Sequence, residues 1–363
     1  MTHSLSLLEI ISIITAFQLL MLGIVLISKR SIKKQSNRIL SLFMFSNALV
    51  LIHFLFSILD IFNLTTVAIF YYLLGPLMYL YVRSMCIKNF IMKPSYWLHG
   101  MIFILMVLYV IVTSIFIDNE GEEKWQYIEH FGSQIILHIQ IAAYIIASFL
   151  SIYQYRKEIK NHFSSVEQIN LSWLLIIVMA FMTMWLTDFV AFIIAFSIGG
   201  WYEVNYYLIV ASITINLLFA NYLVYKGLHQ ADVFSGIKAP DKYSGSKITD
   251  EEGTKMVDQL RDLMKNKKPY LNPDLSIKDL SEHFNIHPKF LSQVINSQFG
   301  QNFYDFVNHY RVQEAKEIMI KNTDEKMTIL EILYEVGFNS KSAFNNAFKK
   351  NTGMTPSEFK RTG

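Results

Sequence analysis

Seven apolar stretches, each long enough to cross a bilayer, fill most of the first 226 residues of this 363-residue chain. A helix needs roughly 20 apolar residues to cross the hydrocarbon core. The chain must be helical there, because no water is present to bond its backbone groups. The sequence therefore predicts an all-α N-terminal bundle of seven transmembrane helices, at residues 5–28, 39–59, 64–85, 97–117, 131–153, 171–198 and 204–225. Gly75-Pro76 in the third predicts a kink, not a break.

Basic residues are distributed unevenly between these stretches. The first, third and fifth connections carry eleven Lys or Arg residues, whereas the second, fourth and sixth carry only Lys124. Positive charge is favoured on the cytoplasmic side of a membrane. The N-terminus is therefore expected outside and, after seven crossings, the C-terminus in the cytoplasm. We expect a multi-pass protein of the cytoplasmic (inner) membrane, with the lipid bilayer as a partner.

The composition changes after Lys226. Residues 227–248 are polar and rich in Gly, Ser and Lys, which predicts a cytoplasmic linker between a membrane sensor domain, residues 1–226, and a C-terminal domain, residues 249–363. Residues 249–252 have the form of a capping box, which begins a helix. The apolar positions that follow fall on one helical face. This face either packs on the C-terminal domain or pairs with its copy in a dimer.

The C-terminal domain repeats one local pattern: a short amphipathic helix, a tight turn and a second helix. In the first copy, residues 277–284 form the support helix and the recognition helix begins at Pro288. In the second copy, residues 329–336 form the support helix, Gly337 turns the chain and the recognition helix begins at Ser340. Residues 303–321 predict one long helix between the copies. This is the helix-turn-helix pattern, and a rigid connecting helix can place both recognition helices in the major groove.

The second copy has the more specific motifs. They are Glu335-Val336-Gly337-Phe338, Ser342-Ala343-Phe344, Ala347-Phe348-Lys349-Lys350 and Gly353-Met354-Thr355-Pro356-Ser357-Glu358-Phe359, and Phe303, Arg311 and Ala315 follow the same pattern in the connecting helix. With these motifs, residues 275–360 resemble the DNA-binding domain of the AraC/XylS family of bacterial transcription regulators. The resemblance implies two helix-turn-helix motifs joined by a long helix, with double-stranded promoter DNA as the ligand. It also implies a homodimer on DNA and RNA polymerase as a further partner.

By the same resemblance, the outward faces of the two recognition helices contact DNA. Asn and Gln can bond adenine with two hydrogen bonds, and Lys can reach guanine. The expected DNA-binding residues are Lys289, Ser292, Gln293, Asn296, Lys341, Ser342, Asn345, Asn346, Lys349 and Lys350. From residue 248 onward the chain has sixteen basic and sixteen acidic residues. Because affinity for duplex DNA usually rests on phosphate neutralisation, we expect weak binding by one domain and a need for dimerisation.

Polar side chains also lie inside the apolar stretches. Asp188, His138 and His53 are candidates for intramembrane sensing, because ionisable groups in a bilayer are often functional. The alternative is that such side chains form hydrogen bonds between helices. Two isolated histidines do not make a zinc site. The chain has no Gly-rich phosphate loop, HExxH motif or nucleophile elbow. We therefore expect no metal, no cofactor and no enzymatic activity.

These patterns predict a membrane-bound, sequence-specific DNA-binding transcription regulator that senses a signal through its transmembrane domain. The alternative is a seven-helix receptor or transporter-like membrane protein whose cytoplasmic helix-turn-helix domain mediates protein–protein interaction. The two hypotheses differ in whether the outward residues of the recognition helices are needed for contact with DNA.

Overall fold

The computed structural model describes residues 6–28, 34–58, 69–87, 90–116, 123–167, 169–198, 202–229, 250–321 and 327–362. These residues are mostly helical, and they contain no strand beyond one isolated antiparallel bridge between Phe163 and Ser276. The predicted all-α fold class is therefore confirmed. The chain forms two compact units: Met1–Tyr153 with Leu171–Ala239, and Gln154–Asn170 with Pro240–Gly363.

The described part of the first unit is built from α1 to α7, except for the end of α5. The helices are α1 Leu7–Ser28, α2 Lys34–Ile58, α3 Tyr71–Cys86, α4 Met101–Phe116, α5 Glu123–His162, α6 Ser172–Ile198 and α7 Tyr202–His229. A 3₁₀ helix, Pro94–Gly100, leads into α4. By length and composition, six helices of the described residues could cross a membrane.

The predicted count of seven crossings is not confirmed. The third apolar stretch is represented by α3, which has 16 described residues, fewer than a bilayer crossing needs. The first residues of that stretch, 64–68, lie outside the described part of the chain. Pro76 lies inside α3, which continues through it. The helix is therefore not broken at this proline, as the sequence predicts.

Aromatic and amide contacts join helices within the first unit. Phe43 of α2 makes edge contacts with Phe181 of α6 and Phe219 of α7, with ring centroids 5.7 and 6.2 Å apart. One turn along α2, the buried side chains of Asn47 and Asn216 exchange two hydrogen bonds of 3.1 Å. Such a pair satisfies polar groups that would otherwise be costly to bury.

Helix α5 is much longer than the apolar stretch that predicts it. Its 40 residues span about 60 Å at about 1.5 Å per residue, roughly twice the hydrocarbon thickness. Its last turns, from Gln154 to His162, belong to the second unit. The basic residues Arg156, Lys157 and Lys160, which the sequence places in a connection, therefore lie on a helix.

The second unit continues with α8 to α14. These helices are α8 Asp250–Lys267, α9 Ile277–Glu282, α10 Pro288–Phe299, α11 Phe303–Lys321, α12 Ile329–Glu335, α13 Lys341–Thr352 and α14 Pro356–Thr362. The bounds of α11 are those predicted, and α10 begins at the predicted Pro288. Helix α13 begins one residue after the predicted Ser340, and α9 and α12 end two residues and one residue before their predicted ends. Helix α7 ends at His229, within the predicted linker, and the rest of that linker, with Thr249 of the predicted capping box, lies outside the described residues.

Two hydrophobic clusters form the core of the second unit. The first joins α8 to the first helix-turn-helix, with Leu260, Met264, Leu280, Leu291 and Phe306 all fully or almost fully buried. The second lies in the second helix-turn-helix. Helix α11 contributes to both clusters. The apolar face of α8 is therefore packed inside the unit, which decides between the two alternatives for this helix.

Candidate nucleic-acid interface

Side-chain caps fix the first turns of the helix-turn-helix elements. Ser276 and Thr328 each begin a support helix with a complete capping box, which is closed by Asp279 and Glu331 respectively. Ser340 accepts a hydrogen bond from the amide of Ala343 at 3.3 Å and so caps α13. Each cap satisfies amides that a helix leaves unpaired. The starts of these helices therefore follow from their local sequence.

Each of the two tight turns contains one residue with a positive φ, and the residue type differs between them. Asn285 has a φ of 51° in the first turn, and Gly337 has a φ of 86° in the second. A β-carbon on Gly337 would lie 2.6 Å from the carbonyl oxygen of Tyr270 and 2.7 Å from that of Leu271. Only glycine fits there without a shift of the backbone. The second turn is thus packed directly against the residues that precede the first helix-turn-helix.

The expected DNA-binding side chains lie on the outer faces of α10 and α13. The opposite faces are buried, through Leu291, Val294, Ile295, Phe344 and Phe348. Two of the expected residues are half-buried, Ser292 and Asn345, and the exposed ones are Lys289, Gln293, Asn296, Lys341, Ser342, Asn346, Lys349 and Lys350. Their spacing places them in one stripe along each helix. Their contact with DNA stays a prediction.

Some of these side chains already have partners within the protein. The amide of Asn296 donates to the carbonyl of Ser292, 2.7 Å away on the same helix. The ammonium group of Lys350 forms an ion pair with Asp305 of α11 at 2.8 Å. Asn296 must therefore turn away from its own helix to bond a base. The charge of Lys350 is partly offset before any phosphate approaches.

Several charged side chains of the second unit form contacts within the protein. Lys360, in the basic C-terminal end, donates to the carbonyl of Met327 at 2.7 Å. Two exposed carboxyl groups stay ionised to low pH. Hydrogen bonds from the backbone and hydroxyl of Thr328 lower the pKa of Glu331, and those of Thr355 lower the pKa of Glu358. Weak phosphate neutralisation by one domain stays a prediction.

A buried arginine lies at the junction of the two helix-turn-helix copies. Arg311 of α11 is only 1% exposed. Its guanidinium donates to the carbonyls of Tyr270 at 2.7 Å and Asn272 at 2.8 Å, and lies 5.5 Å from the ring centre of Phe338. Burial lowers the pKa of Arg311 to about 10, so the group is still charged at neutral pH. The sequence placed Arg311 in a family pattern but gave no signal for this network.

The three candidate sensing residues lie on three helices, each with its own neighbours. The Nδ1 atoms of His53 on α2 and His138 on α5 are buried without a hydrogen-bond partner. The ring of His138 packs against Phe189 and Phe192, with centroids 5.2 and 5.1 Å away. Asp188 of α6 lies beside Ser212 of α7. A hydroxyl beside a carboxyl fits the helix–helix alternative, and a sensing role stays a prediction.

Comparison with known proteins finds similarity in part of the chain. Residues 280–362 match the family described as "Helix-turn-helix domain". The chain is 34% identical over 92 residues to "Uncharacterized transcriptional regulatory protein YesN" of Bacillus subtilis, covering 25% of this chain and 24% of the relative. It is 29% identical over 93 residues to "Uncharacterized HTH-type transcriptional regulator in cgkA 5'region" of Pseudoalteromonas carrageenovora, covering 26% of this chain and 52% of the relative.

One solved structure is that of the C-terminal domain of AraT, a response regulator from Geobacillus stearothermophilus. It is 26% identical, covers 32% of this chain and 89% of that chain, and has a TM-score of 0.27. The chain spans about a quarter of the length of the first curated relative and about half of the second.

Proposed function

We propose, from the premise that the C-terminal part of this chain is an AraC-type helix-turn-helix domain, that the protein is a membrane-bound regulator of transcription that binds specific promoter sequences. One observation carries the proposal: α10 and α13 each bury an apolar face, present a polar stripe and are joined by α11. The 19 residues of α11 span about 28 Å, comparable to about 34 Å for one turn of DNA. A connecting helix of this length suits recognition helices that enter neighbouring major-groove segments.

The membrane part of the proposal rests on the six helices that are long and apolar enough to cross a bilayer, with residues 64–85 as a proposed seventh crossing. With seven crossings, the excess of Lys and Arg in alternate connections supports a cytoplasmic C-terminus. In this arrangement, residues 1–226 form the sensor, 227–248 the linker and 249–363 the DNA-binding domain. Asp188, His138 and His53 are the candidates through which a signal acts within the bilayer.

The balanced charge of residues 248–363 supports binding as a homodimer. Two linked domains gain affinity through effective concentration, without any new contact in either domain. RNA polymerase is a proposed partner, since a regulator bound at a promoter acts on the enzyme that initiates transcription at that promoter.

Genome-wide DNA occupancy of the full-length protein in its native membrane tests the proposal. The variant combines Gln293→Ala and Asn346→Ala, which remove one amide from each recognition stripe. Its matched control combines Gln259→Ala and Asn266→Ala, which remove an exposed Gln and Asn from α8. We expect discrete peaks for the wild type and the control, and their loss in the variant.

The alternative, a helix-turn-helix unit that binds another protein, is favoured by one observation. Residues 248–363 have no excess of positive charge, and Lys350 and Lys360 are engaged within this part of the chain. If a correctly inserted protein, forced to dimerise, still gives no peaks above background, the DNA-binding proposal is wrong and the alternative stands.

A further inference from the structure

A connection between two apolar helices forms part of the second unit. This connecting segment comprises the described residues 163–167, 169 and 170, between α5 and α6. The amide of Ser164 donates to the carbonyl of Leu275 at 3.1 Å, and its hydroxyl donates to the same oxygen at 2.7 Å. Phe163 forms the antiparallel bridge with Ser276. The segment therefore adds a short extended piece to the residues that lead into α9.

The same serine supports the buried arginine of α11. Arg311 makes five hydrogen bonds, and two of them, each 3.1 Å long, go to the carbonyl and the hydroxyl oxygen of Ser164. Ser164 itself is 1% exposed. A buried guanidinium is costly unless its N–H groups are bonded. Withdrawal of the segment would take away two acceptors and open Arg311 to water.

The connecting segment touches both helix-turn-helix copies without covering either recognition stripe. In the first copy, the segment contacts Leu275, just before α9. In the second copy, the hydroxyl of Ser165 lies 2.9 Å from Oδ1 of Asn339, which directly precedes the cap of α13. The hydroxyl of Tyr304 on α11 lies 3.5 Å from a carboxylate oxygen of Glu167. None of these contacts involves an expected DNA-binding residue. The segment joins the copies and leaves their polar stripes exposed.

The end of α5 holds the connecting segment in shape. The hydroxyl of Tyr155 donates to the carbonyl of Ile169 at 2.8 Å, and Nε of Arg156 donates to the carbonyl of Asn170 at 2.9 Å. The amide of Phe163 continues the helical hydrogen bonding by donating to Ile159 at 3.0 Å. A displacement of the last turns of α5 would therefore move the segment with them.

We propose that the connecting segment is a strap that holds the two helix-turn-helix copies in their DNA-binding arrangement, and that displacement of α5 withdraws it and weakens DNA binding. The inference rests on the proposed function, because it names the route by which α5 and α6 would regulate the recognition helices. The physical basis is the set of hydrogen bonds made by Arg311. Two of these bonds go to Ser164, which lies outside the C-terminal part of the chain. Loss of the strap loosens α11 between the copies.

Cross-linking of the full-length protein in membranes tests whether the strap is docked. Ser165→Cys and Asn339→Cys are combined with Cys86→Ser, and a protease site is inserted within residues 230–249. If the strap is docked, oxidation joins the two fragments after cleavage. The control pairs Ser165→Cys with Ser297→Cys, an exposed position on α10, and its fragments separate. Separation of both pairs overturns the inference, whatever the protein does with DNA.

DNA occupancy of the same proteins tests the effect of the strap. We expect Ser164→Ala to lower occupancy about tenfold, the scale set by a lost hydrogen bond to a buried charge. Ser281→Ala, which removes a buried hydroxyl that bonds only within α9, is expected to leave occupancy near that of the wild type. Oxidation of the cysteine pair in the Ser164→Ala protein is expected to restore occupancy, which separates docking from a folding defect.

Two results on DNA would overturn the strap. One is loss of occupancy when the wild-type strap is locked by the cross-link, which would make the docked state inhibitory. The other is that the Ser164→Ala protein with the cysteine pair has the same DNA occupancy when the pair is reduced as when it is oxidised. A different result is full cross-linking with no DNA binding by any of the proteins. That result would contradict the proposed function and the proposed effect of the strap on DNA binding. The docked contact between Ser165 and Asn339 would still be supported.

Discussion

Gly337 and Tyr270 lie so close together that a β-carbon on the glycine would be 2.6 Å from the carbonyl oxygen of the tyrosine. That oxygen also accepts a 2.7 Å hydrogen bond from Nε of Arg311. Three parts of the second unit therefore meet at one atom: the turn of the second helix-turn-helix, the approach to the first, and α11. The geometry of the junction depends on a residue without a side chain.

Gly337→Ala is expected to destabilise the second unit by about 2–4 kcal/mol, because the new methyl group meets backbone atoms and the φ of 86° is strained for alanine. Gly300→Ala is the matched control. Its φ is 64°, but nothing lies within 4 Å of the added carbon, so a cost of about 1 kcal/mol is expected. Hydrogen exchange measures both effects, on the α12 and α13 amides for Gly337→Ala and on the amides of α10, whose C-cap is Gly300, for Gly300→Ala. Equal losses would contradict the close contact.

Lys349 and Lys350 are expected to differ in their effect on the salt dependence of DNA binding. Both are exposed neighbours on α13, but only Lys350 has a described ion pair, with Asp305. Lys349→Ala should reduce the slope of log affinity against log salt by about 1, as for a lost phosphate contact. Lys350→Ala should change it clearly less. Titration of a labelled operator at several salt concentrations measures the slopes, and the reverse order would contradict the prediction.

Acid is expected to destabilise the second unit through two capping carboxyls. Hydrogen bonds from Thr328 and Thr355 lower the folded-state pKa values of Glu331 and Glu358. Their contribution is complete above the ordinary glutamate pKa and is lost as the pH falls through the lowered values. Thermal unfolding against pH should therefore show a flatter acid limb for Glu331→Gln with Glu358→Gln.

The control for the acid prediction is Glu335→Gln, an exposed residue at the last position of α12, away from the helix N-termini. This variant should keep the acid limb of the wild type. If it flattens the limb as much as the capping variants do, general surface charge is responsible, and the capping hydrogen bonds are not.

The buried pair of Asn47 and Asn216 is expected to show coupling between α2 and α7. Asn216→Leu alone leaves the Asn47 amide without its partner, whereas Asn47→Leu with Asn216→Leu removes both polar groups. The double variant should therefore lose less stability than the sum of the single variants, by about 0.6–1.7 kcal/mol. Reversible unfolding in mixed detergent micelles measures the cycle. Additive losses would show that the two bonds contribute little.

Local signals made the helix-turn-helix predictable, and long-range contacts did not. Ser340 and Gly337 mark helix starts and turns by chemistry that acts within a few residues, so α12 and α13 could be placed from sequence. The polar end of α5 could not be placed from sequence, because hydropathy detects only the apolar part of a helix and gives no signal at residues such as Arg156. The contact of Ser164 with Arg311 gave no sequence signal, since a serine in a basic connection is unremarkable.

The second unit is assembled from two stretches of chain that are far apart in sequence, Gln154–Asn170 and Pro240–Gly363. A protease that cuts within residues 230–249 would break the polypeptide there and leave the bonds of Ser164 with Leu275 and Arg311 in place. The severed C-terminal fragment would then stay behind as a non-covalent complex with the remainder of the chain. The fragment would be released only after a second event had broken those bonds. Cleavage of the chain and release of the C-terminal fragment would therefore be separate steps, each of which could be controlled independently.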